Sequence, residues 1–331
     1  TLKDLLPDPS RLLDMDKAAD RIADALIHGE KIALFADYDV DGATSSAVTA
    51  RFLRDAGAEP RVYIPDRMTE GYGPSAEAMQ QLADEGAKLV ILLDCGTTSF
   101  DALTAAKDIG LDVIVIDHHT AEPRLPDVLA MVNPNRLDAD GKYGTLCTAG
   151  LAFLLVVAVN RVLRGLGHWT DARPEPVLTR LLDLVALGTV CDVVKLEGLN
   201  RAFVTQGLKV MAKRGNTGLV ALGDVAGVNE APQSYHLGFV LGPRINAGGR
   251  IGKSDLGATL LRTENTAEAN AIAAKLDILN AERREIEANV FEQALQQIER
   301  TGEPGAAVVV AGEGWHQGVV GIVASRLVER Y

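Results

Sequence analysis

The apolar positions change period along the chain. After Asp8 to Ser10, apolar side chains at Leu12, Leu13, Ala18, Ile22 and Ile27 recur at helical spacing, which predicts an amphipathic helix ending near Gly29. Five short apolar runs follow, Lys31–Ala36, Arg61–Ile64, Leu89–Leu93, Val113–Ile116 and Leu129–Val132, separated by helically spaced stretches. This alternation predicts crossover units and therefore an α/β fold, a parallel sheet with helices on both faces. Three of the runs end in acid: Ala36 precedes Asp37, Leu93 precedes Asp94 and Ile116 precedes Asp117. Parallel strands point the same way, and open sheets bind ligands beyond their carboxyl ends, so the three aspartates are expected at one edge.

Further along, Leu151–Leu163 and Val177–Leu187 predict buried helices, the second running on to Asp192 and placing a fourth acid at an element end. Leu199–Met211 predicts another helix, whereas the glycine-rich Gly238–Gly252 (GFVLGPRINAGGRIG) reads as a loop built for close approach. Within Ala267–Arg300, apolar positions at Ile272, Leu276, Leu279, Ile286, Val290 and Leu295 fit one long helix joining domains. A break at Gly302–Gly305 precedes an expected strand, Ala306–Ala311, and a helix, Gly318–Arg330. One strand and one helix cannot bury a core, so truncation at Tyr331 is expected. The expected organisation is a first domain at 1–195 carrying the acids, a helical connector at 196–300, and the start of a second, smaller α/β domain at 301–331.

With 331 residues, 47% apolar and 24% charged, the composition is that of an ordinary soluble protein rather than a disordered, collagen-like or membrane-spanning one. No run of about 18 uncharged apolar residues occurs, Ala149–Val159 being the nearest, and Thr1 opens no signal segment. Cys95, Cys147 and Cys191 are odd in number and lack C-x-x-C spacing, which excludes a disulfide scaffold and points to cytoplasmic thiols. A net charge of −12 argues against a broad basic face for duplex DNA but leaves room for a local basic groove or a cation site.

The acids decide between those options. Asp37-Tyr38-Asp39-Val40-Asp41-Gly42 sets three carboxylates at alternate positions after a strand, a density tolerable if cations occupy the site. A calcium loop begins similarly, but it needs a preceding helix and a glutamate at its twelfth position, where Val48 stands. Asp117-His118-His119 adds imidazoles at another strand end, and mixed carboxylate and imidazole ligation suits Mn²⁺, Fe²⁺ or Zn²⁺. About seven ligands exceed the needs of one ion. Two divalent cations about 3.5 to 4 Å apart would clamp a phosphodiester, which implies hydrolysis.

In order, DYDVDG at Asp37–Gly42, DCG at Asp94–Gly96, DHH at Asp117–His119 and the later Asp192 resemble the four motifs of the DHH phosphoesterases. IPDRMTEGYG at Ile64–Gly73, NPN at Asn133–Asn135, GPRINAGGR at Gly242–Arg250, LNAERR at Leu279–Arg284 and GWHQGVVGIVASR at Gly314–Arg326 are similar to the RecJ branch, the 5′-to-3′ single-strand DNA exonucleases. The resemblance covers nearly the whole chain. It implies one metal held by Asp37, Asp39 and Asp94 and another by Asp41, Asp94, His118 and Asp192, with Asp94 bridging. His119 would face the scissile phosphate and Asp117 would orient His118. Arg67, Arg244, Asn246 and Arg250 would contact phosphates, and Ser325 and Arg326 would hold the 5′ end. Arg283 and Arg284 read as a solvated face.

Departures are few: Phe35-Ala36 where many relatives have a glycine, Cys191 where alanine is usual, and Gly248 where alanine is common. None removes a ligand. The family's GGH substrate motif and nucleic-acid-binding barrel would lie beyond Tyr331, in a DHHA1-like second domain and after it. The expectation is a two-metal exonuclease using Mn²⁺, with Mg²⁺ as the alternative, that releases mononucleotides from the 5′ end of single-stranded DNA in repair and recombination. A narrow slot would exclude duplex, with base stacking secondary because aromatics are few. Its expected partners are single-stranded DNA, with a single-strand-binding protein and a helicase as candidates; no membrane is expected, and the state is monomeric. Two alternatives stand beside it: a small-substrate phosphoesterase acting on oligonucleotides, cyclic dinucleotides or pyrophosphate, and a non-catalytic single-strand-binding replication scaffold.

Overall fold

A computed structural model describes residues 2–301 and 305–331. Five strands, β1 (Ile32–Ala36), β2 (Arg61–Tyr63), β3 (Leu89–Leu93), β4 (Asp112–Ile116) and β5 (Ala130–Val132), form one sheet in the order β2-β1-β3-β4-β5. Every pairing is parallel. The runs read from the sequence become these strands because β1, β3 and most of β4 are buried on both faces, as continuous apolar runs require.

The register carries the consequence for function. Ala36 pairs with Leu93 and Leu93 with Ile116, so the three strands end level. One further rung follows, in which the Asp37 N–H donates to the Leu93 carbonyl, that of Asp94 to Ile116 and that of Asp117 to Val132. The three acids therefore leave the sheet side by side. The strand order also reverses between β1 and β3, the place where open parallel sheets form a ligand crevice.

Thirteen helices are described. Before β2 lie α1 (Leu2–Leu5), α2 (Met15–His28) and α3 (Val40–Asp55); α4 (Ala76–Asp84) and α5 (Phe100–Asp108) form the next crossovers. After β5 come α6 (Thr148–Gly165), α7 (Leu182–Cys191), α8 (Gly198–Met211) and α9 (Thr217–Val225). The remainder are α10 (Gly242–Ile251), α11 (Leu256–Arg262), α12 (Thr266–Thr301) and α13 (Gln317–Arg330). Helices α4 and α5 cover one face of the sheet, against Phe35, Val90, Leu92, Val113 and Val115. On the other, α2, α3, α6 and α7 pack over Leu34, Ile91, Leu93, Ile114 and Ile116. Helix α6 is long and apolar enough to cross a membrane, but 72% of it is buried in this core.

Two expectations are corrected. Gly238–Gly252 is helical, a π-helix at His236–Leu241 running into α10. Its glycines serve contact rather than turning: a Cβ at Gly242 would lie 2.5 Å from the Cys191 sulfur, and one at Gly249 would lie 2.8 Å from the Tyr38 carbonyl oxygen. Ala306–Ala311 is irregular rather than a strand, for among the described residues no strand lies beside it to hydrogen-bond. Of the expected break, 302–304 lie outside the described residues. Helix α12 is continuous over 36 residues, and its second half packs on α13 through Val290, Ala294, Ile298, Val319, Val323 and Leu327.

Candidate active site

The turn from β1 into α3 holds the first three acids. Asp39 caps α3, its carboxylate accepting from the Gly42 N–H at 3.0 Å. The turn closes so tightly that a Cβ at Gly42 would lie 2.2 Å from the Asp37 carbonyl oxygen. Gly42→Ala is therefore expected to cost about 1–3 kcal/mol, the usual penalty of overpacking, and to distort the acid turn. Thermal denaturation checks the first effect and Mn²⁺ titration the second. Asp41 is fully buried and points at the start of α6, accepting from the Thr148 N–H at 2.6 Å and the Ala149 N–H at 2.8 Å. Those two N–H groups have no partner within their own helix, and the helix dipole favours a carboxylate there.

Asp94, just beyond β3, adopts a left-handed conformation at φ 65°, and its side chain accepts from the Thr148 hydroxyl at 2.9 Å. His118 brings β4 into the group. Its Nε2 lies 3.3 Å from an Asp94 oxygen and 3.9 Å from Asp41, while its Nδ1 lies 3.7 Å from Asp192 at the end of α7. Asp117 accepts from the His118 N–H at 2.8 Å and the Thr97 N–H at 3.1 Å, and it bonds His119 Nδ1 at 2.7 Å. Its carboxylate therefore fixes the His119 ring and touches His118 only through the backbone, a correction to the expectation that it orients His118. The amides of the NPN segment hold the same loop, Asn133 donating to the His119 carbonyl and Asn135 to that of His118.

Tyr72 escaped the sequence reading as a site residue. Its hydroxyl donates to the Asp94 carbonyl at 3.0 Å and lies 3.3 Å from His119 Nδ1, edge-on to that ring. The signal was the EGYG stretch within the Ile64–Gly73 motif, in which only the arginine was singled out.

Burial and mutual repulsion dominate the electrostatics. Burial first, and then the Asp39 charge, push Asp37 and Asp41 up to about 7. Burial and Asp41 push Asp192 up to about 8, and the same kinds of cause hold Asp94 well above the usual carboxylate range. Asp117 behaves oppositely: against the upward push of burial, its bonds to His119 and Thr97 hold it down to about 2. His119 is raised by its bond to Asp117, and His118 is lowered by burial and by its neighbour His119.

Three sets of ligand-type atoms converge, each within 4.8 Å: Asp37, Asp39 and Asp94; Asp41, His118 and Asp192; and Asp94, His118 and His119. One oxygen of Asp37 and one of Asp192 are buried without any hydrogen-bond partner. Buried carboxylate oxygens left bare are costly, and a cation beside each would satisfy them.

The expected phosphate contacts are scattered more widely. The Arg67 guanidinium lies over the Tyr38 ring at 5.1 Å and its charge acts on Asp37. Arg250 is partly buried; it donates to the Gly318 carbonyl at 3.1 Å, and the charge of Asp39 reaches it. Arg244 is tied to Asp277 at 2.8 Å and to the Val240 carbonyl, and Asn246 is half-buried on the same helix. Ser325 and Arg326 are not brought to the acids: Ser325 is exposed, and Arg326 bonds Glu287 and covers Phe291 on α12. Arg283 does not lie on a solvated face; it is largely buried against Glu287 and Asn280.

Known proteins share the sequence and the fold of this chain. Residues 31–189 match the DHH family, N-terminal domain. The chain is 40% identical over 329 residues to the single-stranded-DNA-specific exonuclease RecJ of Bacillus subtilis, covering 98% of the chain and 40% of that protein. It is 39% identical over 341 residues to RecJ of Escherichia coli, covering 100% of the chain and 59% of the relative. The chain thus spans about half the length of these relatives. Among solved structures it is similar to exonuclease RecJ bound to manganese, with a TM-score of 0.86 and 35% identity over 98% of this chain and 79% of that one. RecJ from Thermus thermophilus in complex with Mn²⁺ gives 0.81 and 33%, over 98% of this chain and 45% of that one. On that shared sequence and architecture, the chain belongs to the RecJ branch of the DHH family.

Proposed function

We propose that the chain is the catalytic core of a metal-dependent exonuclease that hydrolyses single-stranded DNA from the 5′ end to mononucleotides. The observation that carries this reading is the convergence of seven acids and imidazoles from four element ends on one crevice, with two buried carboxylate oxygens bare. Relatives named as single-stranded-DNA-specific exonucleases, and two RecJ structures solved with manganese, support it.

Asp37, Asp39 and Asp94 would hold one divalent cation and Asp41, Asp94, His118 and Asp192 a second, Mn²⁺ before Mg²⁺ because an imidazole is in the set. When bound, such a pair supplies Lewis-acid activation of water and neutralisation of charge on phosphoryl oxygens. The chain's own groups do the rest. The first turn of α6 fixes Asp41 through two N–H groups, and the Thr148 hydroxyl fixes Asp94, so neither carboxylate must reorganise during reaction. Asp117 locks the His119 ring through Nδ1 and favours its protonated form, leaving Nε2 to donate to a phosphoryl oxygen as charge develops. Arg67 and Arg250 are the nearest cations for the substrate backbone. Three cysteines without disulfides accord with work in the reducing cytoplasm.

The test uses end-labelled oligonucleotides with Mn²⁺. Release of 5′ mononucleotides from single strands is expected, with blunt duplex resistant and long strands preferred over dinucleotides. Digestion from the 3′ end, equal attack on duplex, or faster turnover of dinucleotides would sink the reading.

A further inference from the structure

We propose that Tyr235 and Phe239 form a stacking platform for bases of the single strand held at the acid crevice, an inference that rests on the function proposed above. The two rings are stacked, their centroids 5.3 Å apart and their planes 22° from parallel. Both stand in solvent, Tyr235 60% exposed and Phe239 74%. The chain has seven phenylalanines, and among the described residues Phe239 is the only exposed one, so its position is not a general looseness of packing. Apolar area left in water costs about 25 cal/mol per Å², which marks a conspicuous pair of this kind as a surface that something covers.

The location ties the pair to the crevice. Phe239 lies on the π-helix at His236–Leu241, and Tyr235 directly precedes it. The neighbouring side of that helix packs on the end of α7. The Cys191 thiol donates to the Leu237 carbonyl at 3.3 Å, and a Cβ at Gly238 would lie 3.3 Å from Val190. Asp192 is the next residue of the chain, and Val193 after it is 87% exposed. The platform is also rigid. His236 sits edge-on to Tyr235 and is itself held, its Nδ1 accepting from the Gln233 N–H at 3.0 Å and its Nε2 lying 3.2 Å from Glu230.

Position selects bases over other flat or apolar occupants, because the helix carrying the rings packs on the end of α7 that presents Asp192. Arg244, which bonds the Val240 carbonyl beside Phe239, is itself committed to Asp277. The phosphates are left to Arg67 and Arg250 at the acids, so the platform's share is a grip on the uncharged part of the nucleotide. Parallel aromatic rings provide that without regard to sequence, since every base has a π-face. Stacking then ranks higher than the small aromatic total suggests, because the few exposed rings are concentrated beside the reaction centre.

The experiment compares wild type, Phe239→Ala, Tyr235→Ala and Phe239→Trp by fluorescence anisotropy of a labelled, nuclease-resistant phosphorothioate 20-mer in Mn²⁺, with cleavage of the ordinary oligonucleotide in parallel. Each alanine variant is expected to bind about tenfold more weakly, the order of one lost stack, and Phe239→Trp to bind as wild type does. A strand carrying abasic sites near its 5′ end should bind wild type weakly and the alanine variants no worse than wild type. Circular dichroism and the melting temperature, both expected to be unchanged, separate a lost contact from a lost fold. Alanine variants that bind within twofold of wild type overturn the platform, as does an equal loss on abasic and normal strands, which would assign the patch to a protein partner. If wild type cuts single strands while the variants are unaffected, the platform fails and the exonuclease stands; if wild type neither binds nor cuts them, both fall.

Discussion

Replacing Asp94 with asparagine is expected to lower DNA hydrolysis by about a thousandfold or more, the scale of loss when one member of a group acting as a unit is removed. Asparagine rather than alanine is the informative choice. The backbone at 94 is left-handed, a conformation asparagine tolerates and alanine resists, and the amide oxygen can still accept from the Thr148 hydroxyl. The fold should survive, and the metal-free variant should melt at a higher temperature than metal-free wild type, because a carboxylate repelled by Asp41, Asp39, Asp117 and Asp37 is gone. Activity on a labelled single strand, circular dichroism and melting in chelator test the three statements together. A variant that is both active and less stable would contradict the placement of Asp94 at the centre of the acid group.

The second large effect is a stability profile that falls with rising pH when divalent cations are removed. The unfolded aspartates titrate near pH ~3.9, whereas Asp37 and Asp41 in the folded chain are pushed up to about 7 and Asp192 to about 8. Between those values the folded state binds more protons than the unfolded one. The contribution of these groups is therefore fully present below about pH 4 and is lost as pH climbs through 7 to 8. Asp117 has the opposite sign: held down to about 2, it stabilises above pH ~4, and that contribution disappears only toward its folded value. Melting in chelator is thus expected at a temperature several degrees higher near pH ~5 than near pH ~8.5, and excess Mn²⁺ should raise the melting point most at the alkaline end. A profile that rises steadily from pH ~5 to 8.5 without metal would mean that the acids are not crowded together.

Much of this arrangement was legible in the residues. Strand positions followed from buried apolar runs, and the shared edge of Asp37, Asp94 and Asp117 followed from parallel direction alone, because the register that levels their strands leaves little freedom. Less legible was anything that depends on contact between distant segments. The Gly238–Gly252 stretch looked like a loop since glycine is a poor helix former, yet close packing on Cys191 and Tyr38 outweighs that propensity. Ala306–Ala311 has strand composition and no partner to pair with among the described residues. Tyr72 and the exposed Tyr235 and Phe239 carry no spacing that separates them from ordinary core aromatics; only their surroundings do.

Helix α12 has a mechanical consequence. Thirty-six residues of uninterrupted helix amount to a rod about 54 Å long. Its near half is braced by α9, α10 and α11 and its far half carries α13, so the rod works as a lever arm with its fulcrum near mid-helix. A flexure of about 10° there would swing the distal tip, about 27 Å away, by about 5 Å, roughly one helical turn, which makes stiffness in this one rod the limit on how snugly any cargo is threaded.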